Sequence, residues 1–123
     1  MGNLAVSQDF SMNDSVTSVH LSHNESFIVA KSYANEINVY KYSSDNGGYS
    51  YIQSVNSPYE VQLFMDVSSD ASVMATYDNA LQEISVYSNS GDGFSVQFTI
   101  ADAFGSVYDV DVSDNGKWVL VCS

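Results

Sequence analysis

The feature that most constrains this chain is a degenerate internal repeat with a period of about 46 residues. Three segments align without gaps. They are Leu21-Ser22-His23-Asn24-Glu25-Ser26-Phe27-Ile28-Val29-Ala30, Val67-Ser68-Ser69-Asp70-Ala71-Ser72-Val73-Met74-Ala75-Thr76 and Val112-Ser113-Asp114-Asn115-Gly116-Lys117-Trp118-Val119-Leu120-Val121. Each reads as the end of one strand, a polar turn, and a continuous apolar strand. Further matches extend the unit: Ile37-Asn38-Val39-Tyr40 with Ile84-Ser85-Val86-Tyr87, and Gly48-Tyr49-Ser50-Tyr51 with Gly93-Phe94-Ser95-Val96. Val16, Val61 and Val107 open the segment that leads into each first block.

Each unit therefore holds four short strands. The first is expected near 16–21, 61–67 and 107–112, and the second near 26–32, 72–77 and 117–123. The third falls near 36–42 and 83–88, and the fourth near 49–55 and 94–100. Asn, Asp, Gly and Ser gather between them, as hairpin turns require. No stretch keeps a 3.6-residue apolar period, so essentially no helix is expected. The nine Tyr and six Phe, with frequent Val, Ser and Asn, suit strands and turns.

The second strand carries most of the architectural information. Phe27-Ile28-Val29-Ala30 and Trp118-Val119-Leu120-Val121 are apolar at every position, whereas a strand with one wet face alternates. Continuous apolarity implies burial on both faces, as when small sheets stack face against face. Trp118 and Cys122 are then expected as packing residues. Tyr49, Tyr51, Phe94 and Phe98 of the fourth strand are expected to cover the outer part of the interface between sheets. Four-stranded antiparallel sheets recurring at this length are the signature of β-propeller blades. In addition, Val107-Tyr108-Asp109-Val110-Asp111-Val112-Ser113-Asp114-Asn115-Gly116-Lys117-Trp118 resembles the V-x-x-V-x-x-S-x-D-G-K-x segment of WD-repeat and YVTN-type propellers. Ile84-Ser85-Val86-Tyr87 resembles the I-x-V-[WYF] strand that those families place next. The resemblance covers nearly the whole chain at the level of pattern. The Gly-His and Trp-Asp dipeptides of well-formed WD repeats are absent.

The fold class expected is all-β, an incomplete propeller or a fragment of one. Residues 1–15 would be a leftover outer strand and loop, 16–59 and 60–106 two blades, and 107–123 a partial blade. Propellers close with roughly four to eight blades. Three readings follow: a piece of a longer propeller, several copies completing a ring, or a chain docked on a larger partner. Open apolar edges are an aggregation hazard in each of them.

Charge narrows the partners. The chain carries 15 Asp and Glu against three Lys and Arg, for a formal net charge of −12. Such a surface repels phosphate backbones and anionic membranes, so neither nucleic acid nor membrane is expected. A basic protein partner is the attractive alternative. In a propeller the loops after the second and fourth strands share one face. They carry Tyr33, Asn35, Glu36, Tyr59, Asp78, Asn79, Glu83, Asp102 and Phe104, aromatics amid carboxylates suited to partner binding. The start lacks a basic segment and an apolar run, which leaves the cytoplasm as the default expectation.

Chemistry-bearing motifs are weaker. Asp109-x-Asp111-x-Ser113-Asp114-Asn115-Gly116 has the composition of a calcium loop, but the glycine is misplaced and no closing Glu follows. A hairpin turn accounts for it. His20 and His23 have metal-like spacing without further ligands. No convergent set of His and carboxylates across the units is evident. No metal, cofactor or catalytic residue is therefore expected, and the reading is a non-catalytic interaction or scaffold module. A lactonase-like enzyme fragment and a purely structural subunit are the alternatives.

Overall fold

The computed structural model describes residues 15–32, 36–56, 63–78, 81–101 and 107–122. Ten strands follow in chain order: β1 (Val16–Leu21), β2 (Phe27–Ser32), β3 (Glu36–Ser43), β4 (Gly48–Asn56) and β5 (Leu63–Val67). Then come β6 (Val73–Asp78), β7 (Glu83–Asn89), β8 (Phe94–Ala101), β9 (Asp109–Val112) and β10 (Val119–Cys122). No helix occurs among the described residues. The strands form two four-stranded antiparallel sheets, β1-β2-β3-β4 and β5-β6-β7-β8, and a two-stranded sheet of β9 and β10. The outer strand expected before residue 15 lies outside the described residues.

The turn joining the first two strands of each unit is the same structure three times. Ser22, Ser68 and Ser113 donate from Oγ to the Oδ1 of Asn24, Asp70 and Asn115, at 2.8, 2.7 and 3.0 Å. That Oδ1 also accepts the N–H two residues on, of Ser26, Ser72 and Lys117. The serine Oγ in turn accepts the N–H of Phe27, Val73 or Trp118, each at 3.0 Å. Short polar side chains thus satisfy turn backbone that the ladders do not reach. The geometry places the residue after the Asn or Asp in the left-handed region: φ is 62° at Glu25, 58° at Ala71 and 71° at Gly116. Only the third turn has the residue that adopts this region without strain.

The outer hairpins repeat as well. Between β3 and β4 the pairing steps from Val39↔Gln53 to Tyr40↔Tyr51, leaving Ile52 extra. Between β7 and β8 it steps from Val86↔Phe98 to Tyr87↔Val96, leaving Gln97 extra. A bulge at the same place in both sheets sharpens their twist in the same way.

Apolar cores form between consecutive units. Phe27, Val29, Ile37 and Val39 of the first sheet meet Val67, Ala71, Met74 and Phe94 of the second. Ala75, Tyr77, Ile84 and Val86 on the opposite face of the second sheet meet Val107, Val110 and Val112. Strand β6 of the second sheet is therefore covered on both faces, which is what its apolar run requires.

Two sequence expectations fail at the β9–β10 hairpin. Trp118 occupies the position of buried Phe27, yet it stands exposed. Cys122 is exposed too. Both sit on the hairpin face opposite the second sheet, and among the described residues nothing packs there. The aromatics of the fourth strand also divide. Phe94 is buried between the sheets, while Tyr51 and Phe98 are exposed.

Candidate interaction surface

Antiparallel order brings one set of strand ends together: the C-terminal ends of β2, β4, β6 and β8 and the N-terminal ends of β3, β5, β7 and β9. In the second sheet the register makes a row, Leu63↔Asp78, Asp78↔Glu83, Glu83↔Ala101. In the first sheet Glu36 pairs with Asn56 at the corresponding end. Glu36, Asp78 and Glu83 thus share one end of the two sheets. The companion residues expected from the sequence, Tyr33, Asn35, Tyr59, Asn79, Asp102 and Phe104, lie outside the described residues.

The three carboxylates are differently placed. Asp78 is buried, and its Oδ1 accepts the Leu81 N–H at 3.1 Å, so it holds the β6–β7 turn. Half-buried Glu36 accepts from Asn38 Nδ2 at 2.7 Å through Oε1. Glu83 is half-buried at the edge of the row. Lys31, close by on β2, is partly buried, and desolvation lowers its ammonium from the usual value. The other two lysines sit toward the opposite end. Lys41 donates to the Gly91 carbonyl and lies 3.7 Å from Asp92. Lys117 belongs to the third turn.

A second constellation lies on the innermost strands, and the sequence reading missed it. Aligning the units on Ser22, Ser68 and Ser113 puts His20, Asp66 and Asp111 at one position, two residues before each serine. These are the repeated titratable groups that reading the motifs singly did not reveal. His20 reaches the next sheet, with Nε2 3.1 Å from the Ser68 carbonyl. Asp66 does the same and accepts the Val112 N–H through Oδ2 at 2.6 Å. Burial pushes the Asp66 carboxyl above its usual value; the Val112 N–H opposes this and neighbouring Asp111 reinforces it. Among the described residues no group of three His, Cys, Asp or Glu is arranged to hold a metal ion.

The three turns meet beside these strands. The His23 N–H donates to the Ser69 carbonyl at 2.6 Å and the Asp70 N–H to the Asp114 carbonyl at 3.4 Å. An open cleft of about 370 Å³ lies between them, lined by His23, Ser69, Asp70, Asp114 and Asn115. The Ser72 hydroxyl, helped by Ser68 and the Ser72 N–H, holds Asp70 below the usual carboxylate value. In the third turn Ser113 Oγ and Asn115 Oδ1 are engaged within the hairpin.

No family model and no curated protein matches the chain. Solved structures do. A chain of the crystal structure of the Mitotic Checkpoint Complex matches with a TM-score of 0.60 at 14% identity, over 87% of this chain and 33% of that one. A candidate 6-phosphogluconolactonase from Bacteroides fragilis matches with a TM-score of 0.61 at 12% identity, over 87% of this chain and 32% of that one. The chain spans about a third of the length of each. At these identities the likeness is one of fold. With the stacked four-stranded sheets, it makes the chain an all-β set of propeller blades, short of a complete ring. No helix among the described residues is long and apolar enough to cross a membrane.

Proposed function

We propose that the chain is a non-catalytic protein-interaction module of the WD-repeat or YVTN-like propeller type, and that its acidic strand end receives a basic segment of a protein partner. The observation that carries this reading is the gathering of Glu36 and Glu83 at one end of the stacked sheets. Carboxylates on a rigid sheet end give a basic partner both steering and register. The likeness to a chain within a protein complex agrees with this reading. The lactonase-like alternative draws on the other structural likeness. Against it, His20 and Asp66 are turned onto the backbone of the next sheet, where they bond structure together.

The test is calorimetric titration with lysine- and arginine-rich peptides at low and high salt. Binding is expected at low salt, weakening as salt screens the half-buried carboxylates. Glu36→Lys combined with Glu83→Lys should abolish it. Asp78 is left untouched because it holds a turn. Undiminished binding by the double variant would refute the assignment of this end. Hydrolysis of a lactone panel, lost in Asp66→Asn, would favour the enzymatic alternative.

A further inference from the structure

The repeat shows what each face of a unit is for. Val67 of β5 is 4% exposed because the first sheet covers it, and Val110 and Val112 of β9 are 3% and 5% exposed because the second sheet covers them. Counting back from the turn serines, the equivalent residues of β1 are Val19 and Leu21, which are 64% and 53% exposed. The first sheet thus carries the same receiving face as the other two units, uncovered among the described residues. The opposite, covering face is displayed at the other end of the stack. Phe27 and Val29 of β2 belong to the core against the second sheet, and Val73 and Ala75 of β6 to the core against the hairpin. Their equivalents on β10 are Trp118 and Leu120, which are 76% and 68% exposed. The described residues thus expose two apolar surfaces, one of each kind, whose mutual contact the chain already makes twice internally.

We propose that the partner of both surfaces is a second copy of this chain, with the hairpin face of each copy seated on the first-sheet face of the other. The proposal rests on reading the chain as an interaction module and names a partner for surfaces distinct from the acidic end. Polar groups repeat along with apolar ones. Asp66 accepts the N–H of Val112 in the following unit. Asp111 is its equivalent, and Leu21 is the equivalent of Val112. In the pair, Asp111 of one copy therefore meets the Leu21 N–H of the other. Contact between unlike faces makes rings when the rotation closes.

The test is the native mass of the full chain by light scattering behind size exclusion, at several salt concentrations. A discrete species of twice the chain mass is expected. It should strengthen as salt screens repulsion between two chains that each carry −12. Trp118→Asp and Val19→Asp should each give monomers. Mixed in equal amounts they should pair again, because one retains the first-sheet face and the other the hairpin face. Both residues are exposed in the single chain, so circular dichroism and the unfolding midpoint of each monomer report whether it still folds. Trp118→Ser and Leu21→Ser repeat the test with milder changes. Cys122, the one cysteine of the sequence, lies on the hairpin face and should react with a maleimide more slowly in the wild type than in Trp118→Asp.

A monomeric wild type overturns the proposal and leaves the faces to other units or another protein. So does an open-ended polymer, a mixture that fails to pair, or a Val19→Asp chain that still dimerises through like faces. A monomer that binds basic peptides would refute the self-pairing alone, and a dimer that binds none would refute the acidic-end reading alone.

Discussion

Between the first and second sheets the bonds run from the innermost to the outermost strand. Inside, His20 faces the Ser68 carbonyl. At the turn, His23 bonds to Ser69. Outside, Gln53 of β4 clamps both backbone groups of Phe94, accepting its N–H at 2.8 Å and donating to its carbonyl at 2.5 Å. Between the second sheet and the β9–β10 hairpin, Asp66 bonds to Val112 and Asp70 to Asp114, both on the inner side. Beyond them opens an apolar groove of about 460 Å³, whose lining includes Ile84, Val86, Phe98, Ile100, Val119 and Val121. The two junctions use equivalent positions of the repeat, though Phe98 stands where the first sheet has Gln53, and among the described residues only the first junction has the outer two strands on both sides. Those strands close the core to water and supply a clamp that fixes the angle between neighbouring sheets.

The largest test of this comparison is a pair of core truncations. Met74 lies fully buried between the first two sheets, whereas equally buried Ile84 borders the groove. Met74→Ala should cost about 2–5 kcal/mol in urea unfolding, because a closed cavity remains. Ile84→Ala should fall at the lower end of that range, because water already reaches the wall of its site. Equal losses would mean that the open junction is packed as tightly as the closed one.

Next in size is the clamp. Gln53→Ala strips the Phe94 N–H and carbonyl of their partner and should cost about 2–4 kcal/mol, the sum of two desolvated backbone groups. Gln53→Glu restores the acceptor but points a carboxylate at the Phe94 carbonyl, so it should recover little. Recovery by Gln53→Glu to wild-type stability would show that only the N–H bond matters.

A pH effect should follow at the open junction. Asp66 has its folded pKa raised above the ordinary 3.8, chiefly by burial. From 3.8 up to that raised value the folded chain holds more protons than the unfolded one, so stability declines as pH rises through the window. Asp70 has the opposite sign: its folded pKa is lowered, and its contribution is lost as pH falls through that lowered value. Unfolding midpoints across acidic pH should show both slopes. Asp66→Asn should remove the decline above 3.8 and leave the loss below it. A decline that persists in Asp66→Asn would place the responsible proton elsewhere.

Periodicity made the strands legible, since every unit repeats the same alternation of apolar runs and Asn, Asp, Gly or Ser turns. The positions of β1 through β10 follow from it within a residue or two at most ends. Legibility stopped where a side chain's environment depends on another unit. Trp118 and Phe27 occupy one repeat position, yet only Phe27 has a neighbouring sheet to cover it. Sequence cannot register that, because burial here belongs to the contact and not to the strand. Asp78 looked like a surface carboxylate because its loop is polar, while its Oδ1 is needed by the Leu81 N–H. The inner His20, Asp66 and Asp111 were overlooked because three chemically different residues hide a shared position until the units are aligned on the turn serine.

The smallest predicted effect probes the turns that both junctions share. Glu25, Ala71 and Gly116 hold the same left-handed conformation, but their surroundings differ. At Gly116 an added Cβ would lie 2.6 Å from Ser72 Oγ and 2.8 Å from Val73 Cγ2, so glycine there serves both the backbone and the approach of the hairpin. Glu25 is exposed, and its strain has no packing to offset it. Glu25→Gly should therefore stabilise the chain by about 0.5–1 kcal/mol, the net of relieved strain and added freedom in the unfolded state. Ala71→Gly relieves the same strain but removes a methyl buried in the first core, and should come out near neutral. A gain at Ala71 as large as that at Glu25 would mean that the Ala71 methyl contributes nothing to the closed junction, against the packing described for it.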